Sequence, residues 1–195
     1  MVDSTTALII STGVLSGAFS VIVNQVWDSS RTRDKKKSEA VYGSSRLAII
    51  LEEFALDCVR AVQDTRDALS PHGPTTAHGT LPKLTEYPVG ITWEAIKPDL
   101  MNRVLSLPNQ ISLSNGHIQT FNNYVDSSPN HEDTYYECTF ECIMRGNQAL
   151  QLADDLRREY GINQSSLDEH WVREFLEEEY PAVERRNAER YEQSG

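Results

Sequence analysis

The sequence predicts an all-α protein: a single N-terminal transmembrane helix followed by a small helical bundle on the cytoplasmic side. Three observations lead there. The stretch from Ser4 to Trp27 carries no charged residue, a basic cluster follows it, and much of the remaining chain spaces its apolar residues by three and four, as amphipathic helices do. A chain of 195 residues has room for one domain and an anchor, since domains run to roughly 100 to 200 residues. The spacing divides it into a short extracytoplasmic N-terminus (1–3), the span (4–27), a basic juxtamembrane segment (28–46), a helical domain (47–180) with a loop at 70–91, and a charged tail (181–195).

The span comes first. An α-helix needs about 20 largely apolar residues to cross the hydrocarbon core, and the run ALIISTGVLSGAFSVIV within 4–27 supplies that length. Only Asp3 precedes it as a charge, so the basic n-region of a cleaved signal peptide is missing and an uncleaved anchor is expected. Arg31, Arg33, Lys35, Lys36 and Lys37 lie just beyond it; lysine and arginine stay on the cytoplasmic side, which predicts an outside N-terminus and a cytoplasmic body in the cell membrane. The same residues can meet anionic lipid headgroups. Gly13, Gly17, Ser20 and Asn24 share one helix face, a small-residue pattern that lets two spans approach closely. A buried soluble hairpin or coiled-coil helix is the competing reading, since threonine, serine and glycine keep the run only moderately hydrophobic.

The formal net charge of -11 is unevenly placed: 28–46 sums to +3, and the chain from Leu47 onward to -13. A body of that sign repels phosphate backbones, so a nucleic-acid partner is not expected. Cys58, Cys138 and Cys142 are too few and too scattered for a disulfide scaffold and are read as reduced thiols.

Within the body, Leu47, Leu51, Phe54, Cys58, Val62 and Leu69 make the apolar face of a helix over 38–69, with Gly43, Ser44 and Ser45 its weakest point. The run SPHGPTTAHGTLPKLTEYP is loop, and its His72 and His78 lack the further ligands of a zinc site. Thr92 to Ile96 suits a helical turn, and Pro98 suits the first position of a helix to about Leu107. Next, two rules conflict: Asn115-Gly116 between apolar residues looks like a hairpin near 111–121, whereas Val104, Leu107, Ile111, Ile118, Phe121 and Val125 make a helical stripe. Helix is preferred because every other element of the body is helical.

Ser128 and Pro129 suit a helix start, and Tyr135, Cys138, Cys142, Ala149, Ala153, Leu156 and Tyr160 continue its inward face until Gly161 closes it. A last helix opens with Ser166 and Glu169 in capping-box spacing and turns Leu167, Trp171, Phe175 and Leu176 inward, with Pro181 expected to end or kink it. The acidic pairs and runs Glu52, Glu53 and Glu177 to Glu179 read as solvated faces.

No phosphate-binding loop, dinucleotide fingerprint, zinc-protease helix or nucleophile elbow is present. No cofactor or metal is expected, and an enzyme less than a binding protein. The function expected is a membrane-tethered, non-enzymatic interaction module on the cytoplasmic face, binding the bilayer and either a protein partner or itself. The alternative is a membrane-active, pore-forming small protein assembled through the Gly13, Gly17, Ser20 and Asn24 face.

Overall fold

The computed structural model describes residues 4–68, 79–125, 132–165 and 171–193, with side chains from residue 31 onward apart from 122–134, 187 and 189–193. Among the described residues it is all-helical: α1 (Ser4–Ala68), a 3-10 turn (Trp93–Ala95), α2 (Pro98–Val125), α3 (Glu132–Tyr160) and α4 (Trp171–Gln193). The segment near 111–121 is continuous helix, as its apolar stripe predicts, and the hairpin alternative does not form. The side chains of the run 4–27 fall outside those described, and among the described residues no helix is long and apolar enough to cross a membrane.

The core organises around α3, which packs most extensively on α1 and also on α2 and α4. Paired residues give the directions: Glu52 meets Arg157 and Cys58 meets Gly146, so α1 and α3 run antiparallel. Arg103 meets Asp155 and Ser114 meets Glu141, so α2 is antiparallel to α3 as well. Leu47, Leu51, Ala55, Cys58, Val59 and Val62 of α1 form one buried stripe against Cys142, Ala149, Leu152, Ala153 and Leu156 of α3. Burial starts earlier than Leu47, since Ala40 and Ser44 are already inside. The helix also runs unbroken through Gly43, Ser44 and Ser45: a Cβ at Gly43 would lie 3.4 Å from Ile91 Cγ2, so this small stretch makes room for the segment before α2.

That segment, 79–97, straps the outside of α2. Leu81 is buried, and its N–H donates to Asn115 Oδ1 at 2.9 Å, so Asn115 holds the strap and makes no turn. Tyr87 packs edge-on against Trp93, with ring centroids 6.0 Å apart, and its hydroxyl donates to the Val104 carbonyl at 2.8 Å. That carbonyl is where the proline rule is circumvented. Pro108 sits inside α2 and has no N–H to give residue 104, four positions back, and the Tyr87 hydroxyl supplies the missing donor.

Gly161 ends α3 as expected: its φ is +61°, and the Ile162 N–H reaches back to the Arg157 carbonyl at 3.0 Å, the bond of a Schellman cap. In α4 two expectations are corrected. Trp171 is 43% exposed because Val172, Leu176 and Val183 set the buried phase of the helix. Pro181 does not end it; its side is exposed and the helix continues to Gln193. The predicted starts at Ser128-Pro129 and Ser166-Glu169, and the loop histidines His72 and His78, lie outside the described residues.

Candidate functional site

Between α2 and α3 the apolar core gives way to a polar seam. Glu141 lies one turn after Glu137 on α3, and both carboxylates are buried, at 1% exposure for Glu137 and 7% for Glu141. They face His117 of α2, whose side chain is 54% exposed. His117 Nδ1 is 3.3 Å from Glu137 Oε1 and 3.6 Å from Glu141 Oε1. The other oxygen of Glu141 is held from behind: the buried Ser114 hydroxyl donates to Oε2 at 2.6 Å and itself accepts from Arg145 Nε at 2.9 Å. Arg145 continues the chain through Gln148 to Gln110, so the seam ties two turns of α2 to α3. Among the described residues, His117, Glu137 and Glu141 form a group whose ligand atoms, one from each, all lie within 4.8 Å of one another.

The three cysteines gather beside this seam, free and buried. The hydrogen bond to Cys142, then burial, then the neighbouring charges of Cys142, Glu141 and Glu137 push the Cys138 thiol far above its ordinary range. The bond from Cys138 lowers Cys142, but its bond to Cys58, burial and the surrounding charges outweigh it, and Cys142 too stays well above a normal thiol. Thiols held protonated are poor nucleophiles, so these act as small core residues.

A second polar cluster closes the other end of α3. Arg157 forks onto both oxygens of Glu52, at 2.6 and 2.9 Å, and also donates to the Asn163 carbonyl. Glu52, at 4% exposure, is therefore no part of a solvated face, which corrects the reading of the Glu52-Glu53 pair; Glu53 is exposed as expected. Glu177 and Glu178 are exposed, and Glu179 meets Arg66 at 2.8 Å. An open cleft of about 640 Å³ lies beside this cluster, lined by Asp154, Arg158, Ser165 and Arg173 among others. Its bases are already committed, Arg173 to both oxygens of Asp154 at 2.8 Å and Arg158 to Asp155.

The backbone of Gly13, Gly17, Ser20 and Asn24 belongs to α1, and their side chains lie outside those described. Arg31, Arg33, Lys35, Lys36 and Lys37 are all exposed on α1, ahead of Ala40, the first buried residue among those described. Sequence reasoning missed His117, Glu137 and Glu141. The available signal was two acids spaced by four, each beside an inward cysteine on the same helix. No family model matches this chain, and neither curated proteins nor solved structures yield a match.

Proposed function

We propose that this chain is a membrane-tethered interaction module: a helical domain held at the cytoplasmic face by an N-terminal span, binding a protein partner or a second copy of itself. The uncharged run from Ser4 to Trp27, followed by five exposed bases, carries the reading. At 1.5 Å per residue such a run is about 36 Å long, enough for a hydrocarbon core of about 30 Å. The run and the domain share α1, and among the described residues burial begins at Ala40. The stretch between Trp27 and Ala40 would hold the body about 20 Å from the span's end, at the same rise per residue. Confinement to a surface raises the effective concentration of any partner anchored there. Exposed Tyr42 and Ile49, two helical turns apart on one side of α1, offer apolar contacts near that surface.

Introduced cysteines test the topology, because the three native thiols are buried. An impermeant maleimide should label Ser4→Cys in intact cells and leave Ser194→Cys unlabelled until the cells are opened. Recovery of the chain in the fraction released by alkaline carbonate would refute the tether, and the reversed labelling would refute the orientation. Self-binding through the Gly13, Gly17, Ser20 and Asn24 face is the form in which the membrane-active reading survives. Gly13→Ile and Gly17→Ile should weaken association in a membrane two-hybrid assay while Val14→Ile does not.

A further inference from the structure

We propose that His117, Glu137 and Glu141 form a binding site for a divalent first-row cation, seated between α2 and α3. The geometry comes first. Ligands about 2.0 to 2.2 Å from an ion stand roughly 3 to 3.5 Å from each other in tetrahedral or octahedral arrangements. The imidazole Nδ1 lies 3.3 and 3.6 Å from the two carboxylate oxygens, close to those edges. A single imidazole N–H bonded to one carboxylate would instead draw in to about 2.9 Å. The nitrogen stands back from both oxygens at similar distances, which suits a shared ion.

Burial is the second argument. Buried carboxylates are held where cations or donors meet them, and here two converge from successive turns of one helix on a single imidazole. Support for the ligands is also in place. Ser114 and Arg145 engage Glu141 through Oε2, whereas Oε1 is the oxygen nearest His117, so the carboxylate is fixed with one oxygen toward the ion. Arg145 is a competing cation on this seam and limits how strongly a second one is held. One imidazole and two carboxylates, with no sulfur, suit Zn²⁺ or Mn²⁺. The exposed side of His117 gives the ion an entry path and leaves its remaining positions to water.

The site is independent of the membrane tether, and its test uses the full chain in detergent micelles after chelator treatment. Isothermal titration with Zn²⁺ and, separately, Mn²⁺ should show one equivalent bound by at least one of them. His117→Ala, Glu137→Gln and Glu141→Gln should each weaken that binding at least tenfold, while His72→Ala and His78→Ala should not change it. His117 is half exposed, so its replacement is the least able to disturb the fold, and it decides the matter if a glutamate variant fails to fold. Absence of saturable binding of both metals would overturn the proposal. So would equal affinity in His117→Ala, or loss of binding in a loop-histidine variant instead.

Discussion

The bond from the Tyr87 hydroxyl to the Val104 carbonyl yields a prediction with its own internal control. Tyr87→Phe keeps the ring, and so keeps the edge contact to Trp93 at 6.0 Å, while removing only the hydroxyl. Val104 is fully buried, and the helix supplies no donor to its carbonyl because residue 108 is proline. Leaving a buried carbonyl unsatisfied costs about 1 to 3 kcal/mol, so Tyr87→Phe should destabilise by that amount. For a chain of this size it should lower the melting temperature by roughly 2 to 4 °C per kcal/mol. In a Pro108→Ala background, however, the new amide at 108 reaches Val104 as an ordinary helical bond. The exposed Pro108 ring leaves no buried hole, and the hydroxyl's removal should now cost about 0.5 kcal/mol or less, within the worth of a replaceable hydrogen bond. Urea unfolding of the four proteins, followed by far-UV circular dichroism, gives the coupling directly. Equal costs of Tyr87→Phe in the two backgrounds would show that the hydroxyl does not stand in for the proline's missing donor.

Two glycines make a matched pair: Gly116→Ala, with nothing within 4 Å of the new Cβ, should stabilise by up to about 1 kcal/mol, whereas Gly146→Ala, whose Cβ would lie 3.0 Å from Cys58 Cβ, should be neutral or destabilising. Equal thermal shifts for the two would mean that α1 and α3 are not in close contact at Gly146. Cys138 and Cys142 hold protons in the folded state that unfolded thiols release above about pH 8.5, so stability should fall as pH rises past that value. The slope is at most about 1.4 kcal/mol per pH unit for each thiol, and urea midpoints of Cys138→Ala/Cys142→Ala should flatten it. Glu52→Gln should cost about 3 kcal/mol or more by leaving the Arg157 guanidinium half-paired, while Glu52→Leu/Arg157→Met should recover most of it, as read by chemical denaturation. Deleting residues 1 to 30 leaves in place every buried residue among those described, so the remainder should melt cooperatively in the absence of detergent; aggregation would place the run inside the core.

Much of the bundle was legible because its signals are local. The stripe from Leu47 to Val62, the proline opening α2 and the glycine closing α3 each act within one or two turns, and each lies where its chemistry put it. Asn115-Gly116 offered a hairpin, but a turn signal is only a preference, and the helical stripe of Ile111 and Ile118 outweighs it. Pro108 and Pro181 show the same limit: the rule concerns the missing N–H, and whether another group replaces it depends on partners distant in sequence, as Tyr87 is from Val104. The seam was hidden for a related reason. Glu137, Glu141 and Arg145, spaced by four, look like an ordinary solvated ladder, and only the packing of α2 on α3 brings Ser114 and His117 over them. Glu52 was misread likewise, since its partner lies far along the chain on α3.

The placement of charge explains why the bundle takes one register. Apolar stripes of Leu, Val, Ala and Cys fit one another nearly as well after a slip of one helical turn, about 5.4 Å, because hydrophobic burial has no direction. On α3 the charged and hydrogen-bonded pairs are spread so that each neighbour is fixed once or twice: α1 through Glu52 and Arg157, α2 through Arg103 with Asp155 and Ser114 with Glu141, α4 through Asp154 and Arg173. A one-turn slip of α1 would part Arg157 from Glu52 in a nearly dry setting, at a cost of about 3 to 5 kcal/mol, a large fraction of the roughly 5 to 15 kcal/mol by which native proteins are stable. Slipping α4 costs less, since the Asp154 and Arg173 side chains are both partly exposed. The α2 interface is the one where register and ligand chemistry coincide. Glu141, which would hold a cation, also bonds Ser114 and so helps set how α2 sits on α3, and a cation shared with His117 of α2 would add to the cost of a slip in α2 and leave α1, the helix shared with the tether, anchored by a separate pair.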